Sequence, residues 1–387
     1  MNFKKISLNL IKNLKSISSK KLLLNEPFFF GHEIKEIEKC IKDTYVSSKS
    51  KLVTKFENEI SKYTKSKYVV ATVTGTSAIH ISLIVLDIKR NNEVFLPSFN
   101  FVAAANAITY CGAIPHFLDI NKEDLSVDPK KFEIYLKENF KNLNGVCINK
   151  KTRRTVKAII VPHIFGHSAK IEEIIKIAKK YKIFVIEDAA ESLGTFYKNK
   201  HTGTFGDLGI LSFNGNKIIT AGGGGAVMTG NKSYAMKIRN LTEQAKVNHP
   251  YKFNYKSIGY NLRMPGINAA LGYAQIRKIK ELVKAKRKLF EIYKSKFQNN
   301  EHFSIRSEPK NCKSNFWLNN LELKHSNANL KDFILRETNK NNIQTRPAWI
   351  LLHELKYFKD CPKDNLNVSK EYFDKIISIP SSAGLIL

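Results

Sequence analysis

The sequence lacks any long run of apolar residues. Nothing in it approaches the roughly 18 consecutive apolar residues of a membrane-spanning helix, and the longest run near the N-terminus is Leu22 to Leu24. The first 21 residues are basic, but no apolar segment or small-residue cleavage site of a secretory signal follows them. We therefore expect a soluble cytoplasmic protein without a membrane span, in which residues 1–23 form a basic N-terminal arm.

Cysteine is also scarce. The five cysteines are odd in number and widely spaced, and no two of them form a Cys-x-x-Cys pair. That spacing matches neither a zinc-ligand pattern nor a disulfide framework. We expect no metal site, and a reducing compartment fits best.

Acidic residues are few, with 34 Asp and Glu against 64 Lys and Arg, which gives a net charge of +30. Such an excess makes a nucleic-acid or anionic-surface binder the rival class of function. The positive residues are mostly lysines scattered along the whole chain, which favours a compositional bias and no nucleic-acid partner. The densest cluster, residues 277–288, carries Ile279, Leu282 and Ala285 at helical spacing, and this predicts a helix with a solvated basic face.

From about residue 68, short apolar runs alternate with helical patterns. This alternation is typical of an α/β protein with a mainly parallel sheet flanked by helices. The polar segment 141–155 is interpreted as a surface excursion, and a long helical pattern from about residue 268 leads into a second, smaller domain. We place the large domain at 24–254 and the small C-terminal domain at 255–387. The predicted strands are 67–72, 93–97, 114–120, 157–162, 182–188, 208–213 and 225–229, and the predicted helices are 75–88, 101–110 and 169–181.

Ligand chemistry in parallel sheets gathers at the carboxyl ends of the strands. Gly75, Thr76 and Ser77 open a helix after one such strand, where free backbone N–H groups favour a phosphate. A plain helix N-cap is the alternative for these residues. Asp188 ends an apolar strand and would be partly buried, so its carboxylate needs a hydrogen-bonding or cationic partner, or serves as a helix cap.

Lys217 is the only charged residue between Leu208 and Gly230, and four glycines follow it at Gly222–Gly225. The order of lysine and glycines is wrong for a nucleotide-binding P-loop. A lysine in such apolar surroundings is desolvated, which favours the neutral amine that attacks a carbonyl group. Together with Asp188 and a phosphate-binding helix end, this suggests a Schiff-base lysine opposite an aspartate.

Five ordered motifs, GTSAIH, PSFNFVAAANAI, IEDAAESLGTFY, GILSFNGNKIITAGGGG and GYNLRMPGINAALG, resemble the pyridoxal-phosphate-dependent sugar aminotransferases of the DegT/DnrJ/EryC/StrS type. The resemblance spans roughly residues 24–350. It implies the fold of a fold-type I aminotransferase, with a large cofactor-binding domain and a smaller C-terminal α/β domain. HTGTFGDLGILSFNGNKIIT, EDAAESLG and TRPAW are most similar to the enzymes that aminate C4 of UDP-linked 4-keto-6-deoxy-N-acetylhexosamines in bacillosamine or legionaminic acid pathways.

The resemblance also implies roles for individual residues. Lys217 would form the Schiff-base link with pyridoxal phosphate and move the proton, and Asp188 would pair with the pyridine nitrogen. Asn261 would reach the phosphate from the neighbouring subunit, so that a homodimer shares its active sites. The remaining implied contacts are Phe101 stacking on the ring, Glu191 beside the ring hydroxyl, Gly75, Thr76, Ser77 and Ser212 at the phosphate, and His163 and Arg346 near the sugar.

The implied reaction is the transfer of an amino group from L-glutamate to a UDP-linked 4-keto-6-deoxy sugar, giving a 4-amino sugar for a lipopolysaccharide, capsule or nonulosonic acid pathway. Amination of a GDP-linked 4-keto-6-deoxymannose, as in perosamine synthesis, is the alternative substrate. Relatives with histidine at the lysine position deoxygenate C3, and Lys217 argues against that branch. Asn100, Ser77 and Ala221 depart from the family pattern without removing a chemical role.

Overall fold

The computed structural model describes residues 2–387, and no helix within that range is long and apolar enough to cross a membrane. The helices are α1 Phe3–Lys15, α2 His32–Lys42, α3 Lys51–Thr64, α4 Gly75–Val85, α5 Ala103–Tyr110, α6 Pro129–Asn139, α7 Ile171–Lys180, α8 Lys232–Thr242, α9 Gly266–Ile276, α10 Ile279–Phe297, α11 Ala328–Lys340 and α12 Asn367–Phe373. Single 3-10 turns lie at Ile164–Gly166, Leu352–Glu354 and Ala383–Leu385.

The strands form one large sheet and three smaller ones within the described part of the chain. They are β1 Tyr68–Thr72, β2 Glu93–Pro97, β3 Ile114–Leu118, β4 Phe140–Leu143, β5 Val146–Asn149, β6 Thr155–Pro162, β7 Phe184–Asp188, β8 Phe196–Tyr197, β9 Lys200–His201, β10 Leu208–Ser212, β11 Gly225–Thr229, β12 Lys246–Val247, β13 Asn254–Tyr255, β14 Phe303–Ile305, β15 Cys312–Lys313, β16 Asn319–Leu323, β17 Arg346–Pro347 and β18 Ile376–Ile379.

The large sheet runs in the order β1-β11-β10-β7-β6-β2-β3. Strands β10, β7, β6, β2 and β3 are parallel to one another, whereas β11 is antiparallel to both β1 and β10. Helices pack on both faces, so the strands are nearly continuous apolar runs, as expected for a buried parallel sheet. The predicted α/β class with a mainly parallel sheet is confirmed. Because β7 and β10 are parallel neighbours, the ends at Asp188 and Ser212 meet at one edge.

The second large element is an antiparallel sheet in the order β14-β16-β18-β17. Helices α1, α10 and α11 share its core, which includes Leu10, Leu14, Tyr293 and Ile334. The described part of the basic N-terminal arm is therefore mainly an amphipathic helix. Its apolar side is buried against this sheet while Lys4, Lys5, Lys12 and Lys15 stay exposed.

Three local predictions differ from the structure. The segment 141–155 contributes β5 to the large sheet through pairing with β6, instead of forming only a surface excursion. The sequence KCIKDTYV at residues 39–46 predicts a helix, but α2 ends at Lys42, and Thr44 adopts a left-handed backbone conformation with φ 62°. The long helical pattern that starts near residue 268 is interrupted at Lys278. Helix α9 packs against α3, where Phe56 lies against Gly272, whereas α10 packs against the second sheet.

Candidate active site

A cavity of about 300 Å³ lies at the carboxyl ends of the parallel strands, where ligands bind in open α/β sheets. It brings together most of the predicted site residues: Gly75, Thr76, Phe101, His163, Asp188, Glu191, Ser212 and Lys217 all line it. Further lining comes from Asn100, Asn214, Asn216, Trp317 and Trp349. Ser77, Asn261 and Arg346 are not part of this lining.

Lys217 lies in the loop that follows β10, and it is the only lysine among the described residues that line the cavity. Its backbone N–H donates to the carbonyl of Asn214 at 3.0 Å, and its side chain is 14% exposed. The amine Nζ lies 4.1 Å from the ring centroid of Trp317 and 3.7 Å from Oε1 of Glu191. An aromatic face and one carboxylate therefore hold the amine inside the cavity.

Asp188 is the last residue of β7 and faces the same cavity. Burial raises the pKa of its carboxyl group, and a hydrogen bond from the backbone N–H of Ala190 and the positive charge of Lys217 partly oppose that rise. No helix begins at Asp188 in the chain as described, so the helix-cap alternative does not apply. A partly buried carboxylate at a cavity wall is suited to a cationic ligand group.

Beneath Asp188, the carboxylate of Glu187 is fully buried and accepts hydrogen bonds from His163 and from backbone N–H groups of residues 203, 205 and 206. Burial acts to raise the pKa of Glu187, but His163 and these donors outweigh it, and the pKa lies below its ordinary value. The Nδ1 atom of His163 accepts the N–H of Ala169 at 3.1 Å. Because both ring nitrogens are engaged, His163 presents its ring, not a free nitrogen, to the cavity.

Glu191 stands beside the lysine. Its Oε2 accepts the backbone N–H of Phe165 at 2.8 Å, while its Oε1 faces Lys217. Burial raises the pKa of Glu191 to about 7, against the opposing effect of the Lys217 charge. The carboxyl group therefore changes its protonation state near neutral pH, next to the amine.

Glu191→Gln is expected to change how the stability of the cofactor-free protein depends on pH. The folded-state pKa of Glu191 is raised from 4.5 to about 7, so its stabilising contribution is complete below pH 4.5 and is lost as pH rises through 7. Wild type should therefore lose up to roughly 3 kcal/mol relative to the glutamine variant between pH 5 and 8. Urea unfolding of both proteins across this range measures the difference, and parallel pH curves would contradict it.

The N-terminus of α4 also faces the cavity. The Thr74 side chain caps the helix by accepting the N–H of Ser77 at 3.0 Å, and the two hydroxyls lie 2.8 Å apart. This cap leaves the N–H groups of Gly75 and Thr76 without an acceptor among residues 2–387. A Cβ atom on Gly75 would lie 3.0 Å from Cβ of Ser212. The cap and an anion site therefore coexist, and Ser77 belongs to the cap.

Aromatic side chains and one amide complete the wall. Phe101 is 52% exposed and lies edge-on to Trp349, whose ring stacks on Phe165 with centroids 5.2 Å apart. The Oδ1 atom of Asn100 accepts the N–H of Phe101. Its Nδ2 is buried without a hydrogen-bond partner in the described structure. A buried donor at a cavity wall without a protein partner points to a ligand that accepts from it.

Two predicted site residues lie elsewhere. Asn261 is exposed and pairs through its backbone with Glu243, outside the cavity. Arg346, in β17, lines a neighbouring cavity of about 400 Å³ that shares Asn216, Trp317 and Trp349 with the first. The guanidinium of Arg346 donates to Oδ1 of Asn339 at 2.8 Å, so it sits beside the site and does not face Lys217.

The chain is similar to known proteins over most of its length. The model of the DegT/DnrJ/EryC1/StrS aminotransferase family matches residues 30–386. GDP-perosamine synthase of Vibrio cholerae is 32% identical over 361 residues, covering 93% of this chain and 94% of that protein. The UDP-4-amino-4,6-dideoxy-N-acetyl-beta-L-altrosamine transaminase of Campylobacter jejuni (strain 81-176) is 33% identical over 273 residues, covering 70% of this chain and 68% of that protein. Among solved structures, Helicobacter pylori PseC, described as an aminotransferase involved in the biosynthesis of pseudoaminic acid, superimposes with a TM-score of 0.83 at 24% identity over 94% of both chains.

Proposed function

Since the chain belongs to the DegT/DnrJ/EryC1/StrS aminotransferase family, we propose that it transfers an amino group from L-glutamate to C4 of a nucleotide-linked 4-keto-6-deoxy sugar. It is a pyridoxal-phosphate-dependent aminotransferase of the nucleotide-sugar class. The observation that carries the proposal is the amine of Lys217, alone among lysines in the described cavity lining and in a pocket shared with Asp188. That pair provides a nucleophilic amine and a counter-charge for a cationic ring.

The residues present fit pyridoxal phosphate. The N–H groups of Gly75 and Thr76 offer unpaired donors to a phosphate, at a helix end whose dipole favours an anion. The small Gly75 leaves room beside Ser212, and the buried Nδ2 of Asn100 is a donor that still needs an acceptor. We propose that Gly75, Thr76 and Ser212 bind the phosphate, that Phe101 stacks on the ring, and that Glu191 faces the ring hydroxyl.

When bound, pyridoxal phosphate supplies an electrophilic carbon and an electron-withdrawing ring. Lys217 would hold that carbon through Nζ, and once an incoming amine displaced it, the free Nζ would take the proton from the amine-bearing carbon of the donor and, in the second half-reaction, deliver a proton to C4 of the acceptor sugar. Asp188 would hold the proton on the ring nitrogen of the bound cofactor. Trp317 and Trp349 exclude water from the amine.

The proposal also specifies which nucleotide the acceptor sugar carries. We propose a UDP-linked 4-keto-6-deoxy-N-acetylhexosamine as the acceptor and the resulting 4-amino sugar as a precursor of a surface glycan or nonulosonic acid. A GDP-linked 4-keto-6-deoxymannose is the second candidate, because the likeness to GDP-perosamine synthase covers 93% of the chain, against 70% for the UDP-sugar transaminase. The adjoining 400 Å³ cavity with Arg346 at its edge offers space for the nucleotide end.

We also propose that the active enzyme is a homodimer. Asn261 does not line the cavity of its own chain and is exposed, which supports a role in the site of a second copy. The neighbouring hairpin β12–β13 exposes Tyr251, Phe253 and Tyr255 at 79%, 76% and 59%, an apolar surface that a second copy would cover. We further propose two domains, at 24–254 and 255–387, because the large parallel sheet and the four-stranded antiparallel sheet are separate, although α9 of the second range packs against α3 of the first.

Absorption spectroscopy of the purified protein loaded with pyridoxal phosphate tests the reaction and the substrate together. Glutamate should bleach the visible band of the bound cofactor, and the correct keto sugar should restore it. UDP-linked and GDP-linked 4-keto-6-deoxy sugars are added in parallel, with the 4-hydroxy sugars as controls. Recovery with the GDP sugar alone would replace the UDP assignment, and no bleaching by glutamate would refute the proposed donor.

A further inference from the structure

Lys286 departs from the rest of the basic cluster on α10. The cluster was expected to be a solvated helix face, yet Lys286 is 2% exposed. Its Nζ donates to Oδ1 of Asn25 at 2.8 Å, to the carbonyl of Trp317 at 3.0 Å and to the carbonyl of Ser381 at 2.6 Å. All three N–H bonds of the ammonium group are therefore used, and each acceptor belongs to a different segment of the chain.

No carboxylate within residues 2–387 lies within ion-pair distance of Lys286. Burying an ammonium group without an anion is unfavourable, and burial lowers the pKa of Lys286 to about 7. An apolar side chain of similar length would fill the space without this penalty. An apolar side chain could not make the three hydrogen bonds by which Lys286 connects the N-terminal segment, the Trp317 loop and the C-terminal segment.

Two of the three acceptors lead directly to the active-site loop. The Nδ2 atom of Asn25 donates to the carbonyl oxygen of Asn216, and Nε1 of Trp317 donates to the same oxygen at 2.7 Å. That carbonyl belongs to the peptide bond that precedes Lys217. The indole ring of Trp317 also lies under Nζ of Lys217 at 4.1 Å. Both tethers of the Asn216 carbonyl thus converge on Lys286.

Residues 214–217, which precede the buried Ile218 and Ile219, have few other contacts. Asn214 and Asn216 are exposed, and a Cβ atom on Gly215 would meet nothing within 4 Å. Within the loop, one backbone hydrogen bond, from Lys217 to Asn214, closes the turn. The position of the lysine backbone therefore depends on contacts from outside the loop, and Asn25 and Trp317 provide them.

We propose that Lys286 is a positioning residue for Lys217, which acts by holding Asn25 and Trp317 against the peptide and the amine of the active-site lysine. This inference rests on the proposed function of Lys217. It assigns the N-terminal segment and the C-terminal part of the chain a role in orienting the reactive amine. Lys286 does not itself line the cavity and makes no hydrogen bond to Lys217; its link to the cavity is the hydrogen bond to the carbonyl of Trp317.

Lys286→Met, which keeps the length of the side chain and removes its donors, provides the first test. A misplaced amine should lower the rate of the glutamate half-reaction by about 10- to 100-fold, leave the KM for glutamate within a few-fold, and shift the pH midpoint of the visible band of the bound cofactor. Lys288→Met, an exposed position on the same helix, is the matched control and should match wild type. An unchanged rate and midpoint in Lys286→Met would overturn the proposal, even if its melting temperature fell.

Two milder variants keep the test decisive if Lys286→Met does not fold. Asn25→Asp retains an acceptor for Lys286 but loses the donor to Asn216, and Trp317→Phe retains a ring under Lys217 but loses the indole N–H. Each should slow the half-reaction, and the double variant should approach Lys286→Met. Wild-type behaviour of the double variant would contradict the proposed route.

A readout on the cofactor-free protein separates this inference from the proposed function. The rate at which an acetylating reagent modifies Lys217, followed by peptide mass spectrometry, reports the environment of the amine without any cofactor. We expect this rate to change several-fold in Lys286→Met and in the Asn25→Asp, Trp317→Phe double variant, but not in Lys288→Met. A changed rate would uphold the positioning role even if glutamate failed as the donor, and equal rates would refute it.

Discussion

Lys217→Ala is expected to abolish transamination, lowering kcat by roughly 10,000-fold or more, because the covalent link and the proton transfer depend on the same amine. The fold should survive, since the residue lies in a loop after β10 and its side chain contacts Trp317 and Glu191 without holding the core. We expect the unfolding free energy of the cofactor-free protein to change by less than about 1 kcal/mol. Steady-state kinetics and urea unfolding give the two numbers.

Lys217→Arg is the matched control for charge. It keeps a cation over the Trp317 ring but cannot supply a neutral amine, so it should be as inactive as the alanine variant. Lys180→Ala, at an exposed lysine of α7, should retain full activity. Transaminase activity above a hundredth of wild type in Lys217→Ala would refute the assigned role.

The elements around the site were predictable because each depends on local sequence. The strands ending at Asp188 and Ser212 are apolar runs of the length typical of buried parallel strands, and the structure confirms both. Once the sheet was expected to be parallel, the strand-end rule placed Asp188 and Lys217 at one edge. The positions of Asp188 and Lys217 in the cavity could therefore be predicted before any contact was known.

The residues that sequence reasoning missed come from distant parts of the chain. Trp317 meets the active-site loop across 101 positions of sequence, and Trp349 enters from the second sheet region. Trp317 carries no local pattern that distinguishes a cavity wall from an ordinary core aromatic, and the TRPAW motif, which contains Trp349, was used only for the resemblance and gave that tryptophan no role in the site. Asn261 and Arg346 were assigned to the site by resemblance alone, and they lie outside the cavity of their own chain.

The sequence around Lys286 contains a signal for burial, but the neighbouring lysines outweighed it in the prediction of a solvated face. Lys286 lies four residues after Leu282 and three before Leu289, both buried, which puts it on the apolar face of α10. The helical period thus predicted burial, while the surrounding lysines suggested a solvated face. The periodicity was the better guide, because burial is set by the position on the helix and not by the charge of the neighbours.

Asp188→Asn is the second substitution with a large expected effect, and it should separate activity from stability. The asparagine keeps the shape of the side chain but cannot hold a proton on the ring nitrogen of the cofactor, so kcat should fall by about 100- to 1,000-fold, the range for removal of one preorganised electrostatic group. Lys217 is unchanged, so the cofactor should still bind and its visible band should still form. Loss of the band would instead assign Asp188 to cofactor retention.

The stability of Asp188→Asn should change in the opposite sense to its activity. Burial raises the folded-state pKa of Asp188, so its contribution to stability is complete below its unfolded pKa and is lost as pH rises through the folded value. The neutral asparagine avoids that loss, and the cofactor-free variant should be at least as stable as wild type at neutral pH. Urea unfolding at a series of pH values from below the unfolded pKa of 3.8 up to pH 8 measures this, with wild type losing more stability than the variant over the series. A variant that is both inactive and less stable at pH 8 would mean that the carboxylate serves the fold and not the cofactor.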